Sequence, residues 1–151
     1  MDTDNLKFFL KLQVVWKDEH MFELKVTASN GRYFGTTNVH DTPEPVLKFA
    51  QTLMSFPQHN NDLFYETRSK NGQSSFSMHF YHLDNSGNIV LEINLEDHIT
   101  TEYRHEHKNK IKIEISIEPN AIDKFQKDLS QLASKKDGIV ILYGRDITIA
   151  T

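Results

Sequence analysis

The stretch of residues 96–108 concentrates side chains that bind metals or handle protons. It contains three histidines and four carboxylates: His98, His105 and His107, with Glu96, Asp97, Glu102 and Glu106. His105 and His107 are one residue apart, so in an extended strand both rings point to the same side. Two imidazoles on one face are a plausible pair of zinc ligands, and Asp97, His98 or Glu102 would supply a third. One reading of the stretch is therefore a metal site with His105 and His107 as ligands.

The alternative reading of this stretch is a water-exposed hairpin between two strands. Arg104, Lys108 and Lys110 lie beside the histidines, and cations next to a site disfavour the binding of another cation. A His-x-His pair without a third ligand at fixed spacing is also weak evidence for a metal. Because histidines titrate near neutrality, a pH-sensitive surface is a third option. We favour the exposed hairpin and expect no resident cofactor.

The rest of the chain carries no recognisable catalytic arrangement. The sequence has no nucleophile elbow, P-loop, dinucleotide-binding glycine motif or His-Glu-x-x-His motif. His79 shares the hydrophilic parity of its strand with Tyr81, whereas His82 shares the parity of Phe80. A histidine at the edge of a core more often packs than catalyses. We predict that the protein is not an enzyme.

Aromatic residues at hydrophilic positions are further candidates for function. They are Tyr33, Phe34, Tyr65, Tyr81 and Tyr103. Exposed aromatic side chains anchor many protein interfaces, with charged groups around them. The predicted partner-binding residues are Tyr33, Tyr81, Glu102, Tyr103, Arg104 and Glu106.

The composition limits the class of protein. A chain of 151 residues that is 38% hydrophobic predicts one globular domain over residues 1–151. The formal net charge of −4 disfavours nucleic-acid binding, which requires a basic excess. The absence of cysteine excludes disulfides, zinc–thiolate sites and thiol catalysis. With no signal peptide and no apolar run of about 20 residues that would span a bilayer, a cytoplasmic location without membrane contact is predicted.

Alternating apolar and polar residues predict seven to eight strands. The clearest runs are 8–16, 22–28, 76–82, 89–95 and 111–117, with shorter strands at 32–39 and 63–67. The first run keeps one apolar parity as far as Trp16. The run Ile139–Tyr143 is apolar throughout, which is typical of a strand buried on both faces.

Apolar residues at helical spacing predict two amphipathic helices. The first begins after Thr42 and Pro43, and its apolar stripe reaches Met54. The second is predicted to have Asn120 as its N-cap and to end before Gly138. The expected fold is α+β, in the order βββ-α-ββββ-α-β. Its curved, mostly antiparallel sheet would hold both helices on the apolar face.

Several local signatures resemble a known group of small bacterial proteins. They are NGRYFGTT at 30–37, LKFAQTL at 47–53, GNIVLE at 87–92, IEI at 113–115 and IDKF at 122–125. Together they resemble the WapI-like immunity proteins and related uncharacterised families. The resemblance implies a protein that binds and neutralises a partner toxin. The matching positions lie in turns and in the core, so it implies no functional residues.

A small-ligand or metal-binding module is the alternative function. A curved sheet with two helices can leave a concave pocket, and His79, Tyr81, His105 and His107 would line it. Homodimerisation through an exposed strand edge is compatible with either function.

Thermal-shift titration with zinc, nickel and manganese tests the metal reading. For an exposed hairpin, we expect no saturable rise in the melting temperature of the protein. A saturable rise that is lost in the His105→Ala/His107→Ala variant would instead assign a metal site, because a ligand that binds the native state raises its stability.

Overall fold

The computed structural model describes residues 7–56, 62–83, 88–99 and 107–147. The strands are β1 Phe8–Lys17, β2 Phe22–Asn30, β3 Phe34–Asp41, β4 Asp62–Arg68, β5 Ser74–His82, β6 Ile89–Ile99, β7 His107–Ile117 and β8 Ile139–Tyr143; the helices are α1 Pro43–Met54 and α2 Pro119–Lys135. This order confirms the predicted βββ-α-ββββ-α-β arrangement and the α+β class. The eight strands divide into two antiparallel sheets of four. Within the described residues, neither helix is long and apolar enough to cross a membrane.

The first sheet has the strand order β3-β2-β1-β8. Strand β2 shows the period-two pattern most clearly, because Phe22, Leu24 and Val26 are buried while Lys25 between them is exposed. The predicted alternation in β1 fails at its end. The register shifts between Val14 and Trp16, and Trp16 is 44% exposed. A β-bulge of this kind re-aims the following side chain.

The apolar strand β8 pairs antiparallel with β1 at the edge of this sheet. Val140 and Leu142 are buried, whereas Ile139 is 54% exposed and Tyr143 is 45% exposed. The prediction that this strand is buried on both faces is therefore wrong. An edge position with one covered face leaves the other apolar face in water.

The second sheet has the strand order β4-β5-β6-β7. Its inward rows consist of large apolar residues: Phe76, Met78 and Phe80 on β5, Ile89, Leu91, Ile93 and Leu95 on β6, and Ile113, Ile115 and Ile117 on β7. Neighbouring strands therefore present matching apolar side chains to one side. These rows form the floor on which the helices pack.

The two helices cover this apolar floor and contact each other. In α1, Phe49 lies 5.5 Å from the Tyr65 ring and 6.1 Å from Phe80. In α2, Phe125 lies 6.2 Å from the same Phe80 ring, measured between ring centroids. Tilted aromatic pairs at these distances add to the burial energy of the rings. Phe80 thus links both helices to the middle of the second sheet.

Two details of the helices differ from prediction. Met54 is 67% exposed, so the buried stripe of α1 ends at Leu53. The N-cap of α2 is Glu118, not Asn120, and Pro119 occupies the first helical turn. The residue before a proline is pushed towards extended backbone, and proline is favoured at the first helical position, so Glu118-Pro119 sets the boundary.

The two sheets share one hydrophobic core and are joined by polar contacts at two points. At one, Ser116 of β7 and Arg145 exchange backbone hydrogen bonds of 2.8 and 3.0 Å just after β8. At the other, β3 crosses the end of the second sheet. Gly35 lies against Leu95 and Ile111, and further along β3 the His40 carbonyl accepts a hydrogen bond from the Thr67 hydroxyl at 2.5 Å. One strand of the first sheet therefore contacts β7, β6, β5 and β4 of the second.

Gly35→Ala should destabilise the protein by about 1–3 kcal/mol, because overpacking a close contact has costs of this size. A Cβ atom on Gly35 would lie 2.8 Å from Cγ2 of Ile111 and 3.3 Å from Cδ1 of Leu95. Urea unfolding measures the loss. The Gly35→Ala/Ile111→Ala double variant should lose less than the sum of the two single losses. Strict additivity would show that the two side chains do not collide.

Candidate functional site

Two exposed aromatic residues follow the tight turn between β2 and β3. The Asn30 side-chain oxygen accepts hydrogen bonds from the backbone N–H groups of Arg32 (3.0 Å) and Tyr33 (2.8 Å). Gly31 adopts a φ of +83°, which suits glycine. The turn fixes the backbone while leaving Tyr33 65% exposed and Phe34 64% exposed. We call these two residues the aromatic turn.

A shallow groove connects the aromatic turn to the base of the β6–β7 hairpin. It has a volume of about 190 Å³ and is lined by Phe34, Gly35 and Thr36 of β3, Leu95, Glu96 and Asp97 of β6, and Asn109, Lys110 and Ile111 of β7. The crossing of β3 over the second sheet creates this groove. The crossing therefore brings a predicted anchor, Tyr33, to the same end of the molecule as Glu96 and Asp97 at the base of the β6–β7 hairpin.

Carboxylates at the base of the hairpin are held by hydrogen bonds. The Asp97 carboxylate accepts hydrogen bonds from the hydroxyls of Thr37 (2.5 Å) and Ser74 (2.8 Å). Glu96 contacts the His98 ring and lies 3.6 Å from the Lys108 ammonium. The hydrogen bond from His98 lowers the pKa of Glu96. Asp97, considered above as a metal ligand, here joins β3 to the second sheet.

Most of the predicted hairpin residues lie outside the described part of the chain. They are Glu102, Tyr103, Arg104, His105 and Glu106; His107 begins β7, and its side chain is not described. Their roles in partner or metal binding stay predictions. In the described ranges, no group of three or more His, Asp or Glu side chains is placed to hold a metal ion.

Tyr81 belongs to a different surface, the outward face of the second sheet. Its hydroxyl donates a hydrogen bond of 3.0 Å to Glu114, and its ring lies 5.1 Å from the His79 ring. Burial, and then the hydrogen bond to Glu114, raise the pKa of Tyr81 to about 12. Lys112 lies 3.5 Å from Glu114 and 3.9 Å from Glu92. The face is a network of paired charges around an aromatic contact.

The aromatic turn and Tyr81 are too far apart to form one small site. Asp97 pairs with Ser74 at one end of β5, whereas Tyr81 pairs with Val90 near the other end. Seven residues of extended strand separate Ser74 from Tyr81, which corresponds to roughly 23 Å. Tyr33 and Tyr81 therefore lie on separate surfaces.

Tyr65 is buried, although its sequence context had suggested an exposed aromatic residue. It is only 7% exposed, and its hydroxyl donates a hydrogen bond to Asp41 at the end of β3. Burial, and then the Asp41 charge, raise the pKa of the Tyr65 phenol well above its usual range. Leu63 and Tyr65 share one parity of β4, which was the available sequence signal for burial.

Sequence reasoning missed a polar cluster around His40. Nδ1 of His40 accepts a hydrogen bond from the Lys70 backbone N–H at 2.9 Å, and Nε2 lies 3.5 Å from Glu23. Glu23 also accepts a hydrogen bond of 2.6 Å from Asn38, and the Trp16 ring stands edge-on to His40 at 6.2 Å. These residues are distant in the sequence, so no local spacing reveals them. The cluster ties β2 and β3 to the turn after β4.

Comparison with known proteins adds no relative. No protein-family model, no curated protein and no solved structure matches the chain.

Tyr65→Phe should lower the free energy of unfolding by about 1–3 kcal/mol at pH 7, because it removes a buried hydrogen bond and leaves Asp41 without this donor. The pKa of the Tyr65 phenol is higher in the folded protein than in the unfolded chain. Its contribution to the free energy of unfolding is therefore fully present below about pH 10 and is lost as the pH rises through the folded-state pKa. In urea unfolding, the difference between wild type and variant should therefore shrink above pH 10. Tyr81→Phe is the control at a less buried tyrosine and should cost less. Equal losses for the two variants at pH 7 would contradict the role of burial.

Proposed function

We propose that the protein is a non-catalytic binding module that recognises another protein through the aromatic turn and the neighbouring base of the β6–β7 hairpin. The observation that supports this most directly is the exposure of Tyr33 and Phe34, 65% and 64%, next to each other on a hydrogen-bonded turn. Large exposed rings on a rigid backbone are typical anchors of protein interfaces. Little conformational entropy is lost when such a turn is bound.

The outward face of the first sheet extends this surface. Phe34, Ser29, Phe9 and Tyr143 are consecutive cross-strand neighbours on β3, β2, β1 and β8. Phe34 and Tyr143 are exposed, and they border the sheet at its two edges. The aromatic turn therefore continues into a row that spans four strands and carries rings on three of them, which is wide enough for a protein partner.

Charges beside this row favour an acidic partner surface. In the next two rows of the same face, Lys11 pairs with Thr27 and Lys25 pairs with Gln13. The carboxylate on this face, Glu23, is already engaged by Asn38 and lies near His40. A locally basic face on a chain of formal net charge −4 orients an approaching acidic protein and raises the association rate.

The groove is better suited to a protein side chain than to a free small ligand. Its volume of about 190 Å³ lies below the roughly 300–1,000 Å³ of typical small-molecule pockets. Its lining includes Phe34, Glu96 and Lys110, so it offers both polar and apolar groups. We propose that one side chain of the partner inserts here, beside the aromatic turn.

The partner proposed is a toxin domain in the cytoplasm, so that the protein acts as an immunity protein. The support for this finer step is the resemblance of the local sequence signatures to WapI-like immunity proteins. Glu102, Tyr103, Arg104 and Glu106 belong to the segment that links β6 to β7, so they would complete the contact at the hairpin.

Affinity capture with the purified chain tests the interface. A protein retained by wild type should bind the Tyr33→Ser/Phe34→Ser variant at least tenfold more weakly, since truncation of two anchors costs about 2 kcal/mol or more. Met54→Ser is the matched control, because Met54 is also an exposed apolar residue, at 67%, but lies on α1.

Calorimetry with the purified partner gives the affinities, and suppression of its toxicity in cells tests the immunity function. Equal affinity of the double variant and wild type would remove the aromatic turn from the interface. If binding leaves the activity of the partner unchanged, the proposal of a binding module stands and the proposal of an immunity role is rejected.

A further inference from the structure

Strand β4 forms one edge of the second sheet, and its free edge faces α1 across an open groove. Within the described residues, β5 is the strand hydrogen-bonded to β4. The groove has a volume of about 420 Å³ and is lined by Pro45, Lys48, Phe49 and Thr52 of α1 and by Leu63, Phe64, Tyr65 and Glu66 of β4. A strand edge with unpaired backbone N–H and C=O groups is a template for another strand. Phe64, 58% exposed, adds apolar surface beside it.

The sequence of β4 is complementary to itself when two copies run antiparallel. The strand reads Asp-Leu-Phe-Tyr-Glu-Thr-Arg from residue 62 to residue 68. With Tyr65 on the twofold axis, Asp62 of one copy faces Arg68 of the other. The same contact is repeated on the other side of the axis, because a twofold interface is isologous. Opposite charges directly across a strand pair stabilise it.

We propose that two copies of this chain dimerise through β4, in the antiparallel register centred on Tyr65. The pairing joins the two second sheets into one eight-stranded sheet. Phe64 then lies opposite Glu66 of the second copy and diagonal to its Phe64, so the exposed rings lose contact with water. Each copy also closes the groove beside α1 of the other.

Neighbouring registers are disfavoured by the same charges. A shift by one residue would place inward side chains opposite outward ones, which the pleat forbids. A shift by two residues in one direction places Asp62 opposite Glu66, and a shift in the other direction places Glu66 opposite itself. Like charges directly opposite destabilise a strand pair. The register centred on Tyr65 therefore has the best electrostatic match.

The charged side chains are accessible for this contact. Asp62 is 64% exposed and lies 3.2 Å from His79 in its own chain. Arg68 is 62% exposed and lies 3.4 Å from Glu66. Exposed ion pairs of this kind are weak, so a cross-strand pair can replace them at little cost.

Sedimentation equilibrium of the full chain over a wide concentration range tests the dimer. Wild type should be dimeric, and Asp62→Arg or Arg68→Asp should each weaken the dimer about tenfold, since each reversal creates two like-charge contacts. The Asp62→Arg/Arg68→Asp double variant restores opposite charges and should recover wild-type affinity. Lys127→Glu, an exposed charge reversal on α2, is the control and should change nothing.

Recovery by the charge swap supports this register, because a fold defect in either single variant would not be repaired by the other. A chain that is monomeric throughout the range overturns the proposal and leaves the β4 edge to a strand from another protein. A dimer of equal strength in all the variants also overturns it.

Cross-linking provides an independent measurement, because the chain has no native cysteine. An equimolar mixture of Phe64→Cys and Glu66→Cys chains should form a disulfide-linked heterodimer under mild oxidation, since directly opposite Cβ atoms lie about 4.5–5.5 Å apart. Lys127→Cys chains should not cross-link at the same rate. Equal cross-linking rates for the Phe64→Cys and Glu66→Cys mixture and for the Lys127→Cys chains would show that β4 is not at the dimer contact.

Discussion

The crossing of β3 over the end of the second sheet is the contact on which the rest of the structure depends. Strand β3 belongs to the hydrogen-bonded ladder of the first sheet and at the same time contacts all four strands of the second. Gly35 permits the close approach, because any Cβ atom there would meet Ile111. Further along the same strand, the Thr37 hydroxyl donates a hydrogen bond to Asp97, and the Asp41 carboxylate accepts one from Tyr65.

This crossing also explains why polar groups lie between the two sheets. Beyond its contact with the apolar side chains of the second sheet, β3 passes the ends of other strands. The backbone and side chains at these ends require hydrogen-bond partners. Thr37 and Ser74 share the Asp97 carboxylate, and His40 accepts the Lys70 backbone N–H. In the described residues, no buried side-chain nitrogen or oxygen is left without a partner. Such a network specifies how the sheets are oriented, while the buried apolar side chains of the core supply the burial energy.

The sequence predicted the elements well because their periodicity is local. Alternation in β2, β5, β6 and β7 identified nearly every inward residue, and proline and glycine marked the turns. The division into two sheets could not be predicted, because it depends on long-range pairing. Strand β8 pairs with β1 from the opposite end of the chain, and the placement of α1 between β3 and β4 separates the two ladders. Trp16 was misassigned because one bulge reverses the parity of the residues that follow it.

The candidate site shows the same limit. Tyr33 was predicted from its exposed turn, which is a local property, whereas the groove beside it exists only because β3 crosses β6 and β7. This geometry also separates the two proposed contact surfaces. The Phe34 end of β3 lies over β6 and β7, while β4 is the far edge of the same sheet. With strands about 4.8 Å apart, two to three strand spacings separate them. Pairing at β4 therefore leaves both aromatic turns uncovered, and a dimer would present two equivalent surfaces to a partner. An oligomeric partner would then bind with an avidity that neither single contact provides, if the spacing of its own sites matches that of the two turns.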